Sequence, residues 1–425
     1  MRSVILGAVT LWLLCALGCG SDTTAPDSSI TPTTAGNVAP LVVNRGPNND
    51  AVNRLYTTVT VCVPGTATCQ TIDNVQVDTG SYGLRLVGSV LTLSLPAEKS
   101  AANGNPVAEC AQAADGYGFG PVVSADVQLG SEFAASIAIQ VLGAAGYGTV
   151  PADCSATGAA HDSVATLGAN GILGIGPFAQ DCGNMCAAAQ GVMPIPATYY
   201  TCVQGTCTSS NLGVDQQVVN PVAKFTLDNN GVAIVLPSVP AAGASTVSGS
   251  LVFGVDTESN NVVPGTAHIL PVLATSLAAA AGGESEGLHG FLNTTFNSTV
   301  YSHAFFDTGS SAILLTDAGL AQCSGADASY YCPASAFSSS ASVEGVDPTT
   351  GAAITSTANT VDFTIDSAST LFSGNSGFAA FSTLGGPNVD PEGFNWGLPF
   401  FYGRAVFVGI QGRNSSAGPG PFFAY

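Results

Sequence analysis

Beyond Pro40 the chain alternates apolar runs of four to eight residues with short clusters of Gly, Asn, Asp and Pro. Leu55 to Val63 and Val122 to Leu129 are two such runs. They are too short for ordinary helices and are bounded by turn formers, so the pattern predicts strands joined in hairpins. One short helix is expected from about Asp317 to Gln322, where Thr316 or Asp317 can cap its start. Ahead of the strands, residues 19–38 are mainly Ser, Thr, Pro and Asp with almost no large apolar side chain, the composition of a flexible tether. The chain begins with a single Arg2, an apolar run from Val4 to Leu17, and then Gly18-Cys19. That run is too short to span a bilayer and reads as a secretory signal over residues 1–18.

Within the strand pattern lies an internal repeat. Val77-Asp78-Thr79-Gly80-Ser81-Tyr82-Gly83-Leu84-Arg85-Leu86 is echoed by Phe306-Asp307-Thr308-Gly309-Ser310-Ser311-Ala312-Ile313-Leu314-Leu315. Each copy is followed at similar distance by a Gly with a large apolar residue before it: Ile172-Leu173-Gly174 ends 96 residues after Asp78, and Asn395-Trp396-Gly397 ends 90 after Asp307. Two related lobes built from the same parts explain both the motifs and their spacing. The division expected is 39–262 for the first lobe with inter-lobe strands and 263–425 for the second.

Composition narrows this reading. At 425 residues the chain exceeds one compact core of ordinary size, and only 8% of residues are charged against 46% hydrophobic. The 51 Gly, with abundant Ser, Thr and Val, favour a mostly β fold. The net charge of −20 arises from 28 acids and 8 bases with no cationic cluster, which excludes nucleic acid as a partner. With so few cations to pair, protonating the carboxylates forfeits little, so acid tolerance is expected.

The repeated motif carries the chemistry. A carboxylate at the end of an apolar strand, followed by Thr-Gly-Ser, sits on a tight turn whose neighbours can hydrogen-bond the acid. Two such turns face to face bring two carboxyl groups together, one proton shared and one water held between them. That supplies a general acid and a general base at one point, as amide hydrolysis requires.

At these residues the chain resembles the pepsin-like aspartic peptidases. The resemblance extends to Tyr117-Gly118-Phe119-Gly120, similar to the hairpin flap that closes over substrate, and to Asn170 through Gly176, similar to the segment threading beside the first catalytic loop. Gly249 through Asp256 resembles the strand and turn before the second lobe, and Trp396 through Phe407 its threading strand. The resemblance implies a bilobal β fold in which Asp78 and Asp307 activate water without a covalent intermediate. Thr79 and Thr308 lock the loops together, Ser81 and Ser310 bond the outer carboxylate oxygens, Gly80 and Gly309 complete the turns, and Tyr117 covers the cleft. A peptide or unfolded protein is the implied substrate, with the chain a monomer that needs no cofactor. The alternative is a pepsin-fold binding protein that has lost efficient turnover. Arg85 stands where many relatives place a flap-supporting Trp, and a cation there would meet acidic substrate groups or reach solvent. Leu398 replaces an acid common after the second threading Gly.

The small residues before Cys19 resemble a bacterial lipoprotein cleavage box. This implies an acylated Cys19, attachment to the membrane through the lipid alone, and an outer-membrane address facing the periplasm or the exterior. Of the twelve cysteines, Cys15 leaves with the signal and Cys19 takes the lipid, so ten remain, an even number for an oxidising compartment. Close spacing suggests Cys62 with Cys69, Cys182 with Cys186, Cys202 with Cys207 and Cys323 with Cys332, leaving Cys110 for Cys154; other connectivities stay open. A zinc site at Cys182, Cys186, Cys202 and Cys207 is the weaker reading, and His161, His268, His289 and His303 show no metal-ligand spacing. His303 reads as a strand residue near the lobe interface. Gly283-Glu284-Ser285-Glu286-Gly287 spells a serine-hydrolase elbow but follows an Ala-Gly run, not an apolar strand, and reads as a loop.

Overall fold

The computed structural model describes residues 36–113, 115–147, 149–187, 198–273 and 290–425. The signal and tether up to residue 35, Cys19, the Gly283 to Gly287 motif and His289 lie outside the described residues. Among the described residues no helix is long and apolar enough to cross a membrane.

The chain is mostly β, in two halves with the same plan. In the first, Leu55–Cys62 forms a hairpin with Cys69–Asp78, register Tyr56↔Gln76 to Cys62↔Cys69, and the Cys62–Cys69 disulfide closes its far end. The run from Val122 to Leu129 forms the second part of Gly116–Leu129, which pairs with Glu132–Leu142 on one side. The first part of that strand pairs with Val107–Ala113. Gly171–Ile175 runs parallel to Cys69–Asp78, with Asp78 opposite Gly174, and antiparallel to Tyr82–Val87 on its other edge. It therefore threads between the strands that enter and leave the Asp78 turn.

The second half repeats the device. Gly393–Trp396 runs parallel to Thr299–Phe306, with Trp396 opposite Phe306, and antiparallel to Ile313–Leu314. Glycine is demanded where each threading strand passes its loop: a Cβ on Gly397 would lie 2.1 Å from the Ala312 carbonyl oxygen, and one on Gly174 would lie 2.5 Å from the Tyr82 nitrogen.

Six antiparallel strands join the halves. Val38–Val43 pairs with Val247–Phe253, then Gly231–Val235, Ala405–Gly409, Phe422–Ala424 and Ile269–Pro271 follow in order. Val38–Val43 alternates, burying Ala39, Leu41 and Val43. Next to this platform an aromatic cluster fixes the base of the second loop. Phe306 stacks on Phe400 at 4.4 Å between centroids and meets Phe423 edge-on at 5.3 Å. Trp396 is fully buried and donates Nε1–H to Thr294 Oγ1 at 3.0 Å, so its one polar atom is satisfied.

The helix expected at Asp317 to Gln322 is instead a turn. Asp317 Oδ1 accepts from Gly319 N at 2.7 Å, a local side-chain bond that competes with helix formation. Gln322 then bridges to Tyr331, and the Cys323–Cys332 disulfide holds the chain in that reversal.

Asn53 carries much of the contact between the halves. It is fully buried with φ of 46°, a left-handed conformation that Asn tolerates. Its Nδ2 donates to the carbonyls of Ser311 and Phe381, both at 2.8 Å, while Oδ1 accepts from Phe381 N at 2.7 Å and the Tyr402 hydroxyl at 2.9 Å. Asn53→Ala strands all of these groups in the interior and is expected to cost about 3 kcal/mol of unfolding free energy. Urea denaturation checks this, and an unchanged midpoint would refute it.

Candidate active site

Each Asp-Thr-Gly-Ser segment folds as a turn around its own carboxylate. Asp78 ends its strand, accepts from Gly80 N at Oδ1 (2.8 Å) and from Ser81 Oγ at Oδ2 (2.5 Å). Asp307 repeats the pattern with Gly309 N at 2.7 Å and Ser310 Oγ at 2.6 Å. The serines thus hold the second oxygen of each acid.

The two turns are bonded through their threonines. Thr79 Oγ1 donates to the Phe306 carbonyl and Thr308 Oγ1 to the Val77 carbonyl, both at 2.8 Å. Each hydroxyl also accepts the other threonine's backbone N–H, at 3.0 and 3.1 Å. Both threonines are buried, at 1% and 0% exposure, so these bonds form away from competing water.

This exchange brings the carboxyl groups of Asp78 and Asp307 side by side across the two turns, each with its Oδ1 against the glycine of both loops. A Cβ on Gly309 would lie 2.6 Å from Asp78 Oδ1 and 2.9 Å from Asp307 Oδ1, so only glycine leaves room for the pair. Burial first, and then the charge of Asp307, push the Asp78 carboxyl up to about 7. Asp78 therefore keeps its proton well above the pH at which an isolated aspartate ionises. Tyr82 lies beside it: burial and then Asp78 raise its phenol far above the ordinary value, so it stays neutral, and Gly290 N–H donates to its oxygen.

Two further contacts had no signature in the sequence. Asn395, 5% exposed, donates Nδ2–H to Asp307 Oδ2 and to Ser310 Oγ, both at 2.9 Å. Gln76 donates Nε2–H to the Gly309 carbonyl at 3.0 Å, a second link from the first half to the second loop. The only hint was the position of Asn395 in the threading repeat, where an amide replaces the apolar Ile172.

Tyr117, Gly118, Phe119 and Gly120 lie on Gly116–Leu129 near the end of its hairpin, with Tyr117 opposite Gln112. The Tyr117 ring is 9% exposed and belongs to a cluster with Phe119, Tyr200 and the Cys110–Cys154 and Cys202–Cys207 disulfides. Arg85 neither reaches solvent nor is left free for acidic substrate groups. At 6% exposure it pairs with Glu109 and, at 3.2 Å, with Asp181, and donates to the Tyr82 carbonyl at 2.7 Å. Its charge explains the difference, since a buried guanidinium must be paired. Burial and then Glu109 raise the Asp181 carboxyl well above its usual range, and Tyr199 donates to Asp181 at 2.6 Å. Glu109 lies on the strand that pairs with Tyr117's, so the network ties the Asp78 side of the site to the hairpin.

Among the described residues five disulfides form, Cys62–Cys69, Cys110–Cys154, Cys182–Cys186, Cys202–Cys207 and Cys323–Cys332, so the zinc reading of Cys182, Cys186, Cys202 and Cys207 is excluded. His303 lies on Thr299–Phe306, bonded to Asp390 at 2.8 Å, and His161 to Asp115 at 3.0 Å. Among the described residues no group of His, Cys, Asp and Glu has the arrangement of a metal site.

Asp78 and Asp181 both bind their protons more tightly in the folded chain, as does Glu132, which burial raises to about 7. An acid raised on folding costs stability as it ionises, and the cost grows from the unfolded value near 4 up to the folded one. Lowering pH from about 8 to about 5 should therefore raise the melting temperature. A temperature that falls over that interval in a buffered scan contradicts this account.

A search of curated proteins finds no match to the chain. Among solved structures, the aspartic proteinase from Irpex lacteus aligns with a TM-score of 0.48 at 15% identity, over 92% of this chain and 96% of that one. The family model described as "Protein of unknown function (DUF3443)" matches residues 33–425, and the chain belongs to that family.

Proposed function

We propose that this protein is an aspartic endopeptidase that hydrolyses peptide bonds in extended or unfolded segments. The observation carrying this reading is the facing carboxyl pair of Asp78 and Asp307, held by two equivalent turns. A binding surface gains nothing from the cost of placing two acids against each other, whereas general acid–base chemistry requires it.

In the proposed reaction a water between the carboxyl groups loses a proton to the ionised acid as its oxygen attacks the peptide carbonyl carbon. The neutral acid hydrogen-bonds the carbonyl oxygen and passes its proton there, giving a gem-diol. One carboxyl then protonates the nitrogen while the other carboxylate takes a proton from a hydroxyl of the gem-diol, the C–N bond breaks as the C=O re-forms, and the amine and carboxylic acid leave with one proton again on the pair. No covalent enzyme intermediate forms. Thr79 and Thr308 keep the acids in register, and Ser81 and Ser310 fix their outer oxygens. The hairpin that carries Tyr117 would cover the bound segment, with Arg85 bracing it through Glu109. The five disulfides suit an oxidising compartment, and the same proposal includes an acylated Cys19 at the bacterial outer membrane.

The binding-protein alternative draws on Arg85, because a flap braced by an ion pair differs from one supported by a Trp. Cleavage of unfolded casein between pH 3 and 7 separates the two. Asp78→Asn and Asp307→Asn should each lower kcat/KM by about a hundredfold or more while leaving a cooperative thermal transition. Inert wild type, or variants that cleave equally well, would sink the peptidase reading. Wild-type kcat/KM should also fall as pH rises through about 7, where Asp78 loses the shared proton; a profile rising through that region counts against the assignment.

A further inference from the structure

The two loops share their glycine, serine and threonine contacts, and Asn395 adds one to the second carboxylate that the first lacks. In the first, the threading strand runs Ile172-Leu173-Gly174, with Gly174 opposite Asp78. In the second, Asn395-Trp396-Gly397 occupies the equivalent place, with Trp396 opposite Phe306. The amide of Asn395 stands where the first half has the apolar side chain of Ile172. Its Nδ2 reaches both Asp307 Oδ2 and Ser310 Oγ at 2.9 Å, and it is buried.

We infer that Asn395 breaks the symmetry of the carboxyl pair, making Asp307 the anion that takes the proton from water and Asp78 the acid that holds the shared proton. The inference deepens the peptidase reading and rests on it for the roles, although the placement of the proton is a property of the folded protein alone.

The counting of donors supports it. Asp307 accepts from Gly309 N, Ser310 Oγ and Asn395 Nδ2, whereas Asp78 accepts from Gly80 N and Ser81 Oγ. An amide nitrogen can only donate, so its bond favours the ionised form of the oxygen it meets. The same nitrogen donates to Ser310 Oγ, which leaves the serine proton directed at Asp307 and polarises that bond further. Bonds from donors to a charged acceptor are about twice as strong as neutral ones, so one additional donor is a substantial bias between otherwise equivalent acids. The titratable groups that act on the pair are the two acids themselves and the neutral phenol of Tyr82, which interacts with both. The upward displacement of Asp78 agrees with its being the acid that retains the proton. Asn395 touches neither water nor substrate in this scheme and is a positioning residue.

The test isolates each acid and follows its protonation without turnover. With aspartate carboxyl carbons labelled, NMR titration of Asp78→Asn protein reports Asp307, and titration of Asp307→Asn protein reports Asp78. Adding Asn395→Leu should raise the Asp307 midpoint by about one to two pH units, the effect of removing one donor from a charged acceptor, and leave the Asp78 midpoint in place. If Leu disrupts the loop, Asn395→Ala, which only empties the position, should give the same displacement. An Asp307 midpoint that stays put or falls, or an Asp78 midpoint that moves as much, overturns the inference. Failure of the peptidase reading shows separately, as an absence of casein cleavage by wild type.

Discussion

The reciprocal bonding of Thr79 and Thr308 is the constraint on which the rest of the site depends. Each hydroxyl donates to a carbonyl before the opposite acid and accepts the opposite backbone N–H, so neither loop can shift without breaking bonds in both. Because the threonines are buried, the exchange cannot be replaced by water at little cost. Two like-charged groups would otherwise separate. The threonines hold them close enough for the charge of Asp307 to act on Asp78, which responds by keeping a proton.

Around that constraint the halves diverge where chemistry needs them to. A symmetric pair has no preferred direction for proton transfer, and the side chains breaking the symmetry lie outside the repeated tetrapeptides. Asn395 meets Asp307 from the threading strand, and Gln76 crosses from the strand before Asp78 to the Gly309 carbonyl. On the other side, Arg85 joins the strand after the Asp78 turn to the hairpin through Glu109 and Asp181. One cation between two buried carboxylates is balanced when Asp181 keeps its proton, which is the direction in which its surroundings push it.

What the sequence made legible follows from how local each requirement is. A strand ending in Asp-Thr-Gly-Ser states its own turn, because the acid's partners are two and three residues away. The mostly β class and the paired halves could be read from short apolar runs and the doubled motif. Contacts that depend on the completed fold were not legible. Asn395 and Asp307 are 88 residues apart, and an amide in a threading strand looks no different from one on a surface. Arg85 reads as an odd cation in a strand until Asp181, 96 residues later, is folded against it. The turn at Asp317 was misread as a helix because its cap residue suits both, and a distant choice, the Cys323–Cys332 bridge, settles the path.

The cysteine bridges bear on the order in which the molecule can assemble. Each joins residues no more than 44 apart, and none connects the two acid-bearing turns. The threonine exchange closes a separation of 229 residues. Loop-closure entropy places such a contact late, after the locally bridged hairpins have formed. A half-assembled chain can therefore carry every one of its bridges and still lack a carboxyl pair, so chemical competence arrives only with the final docking of the halves.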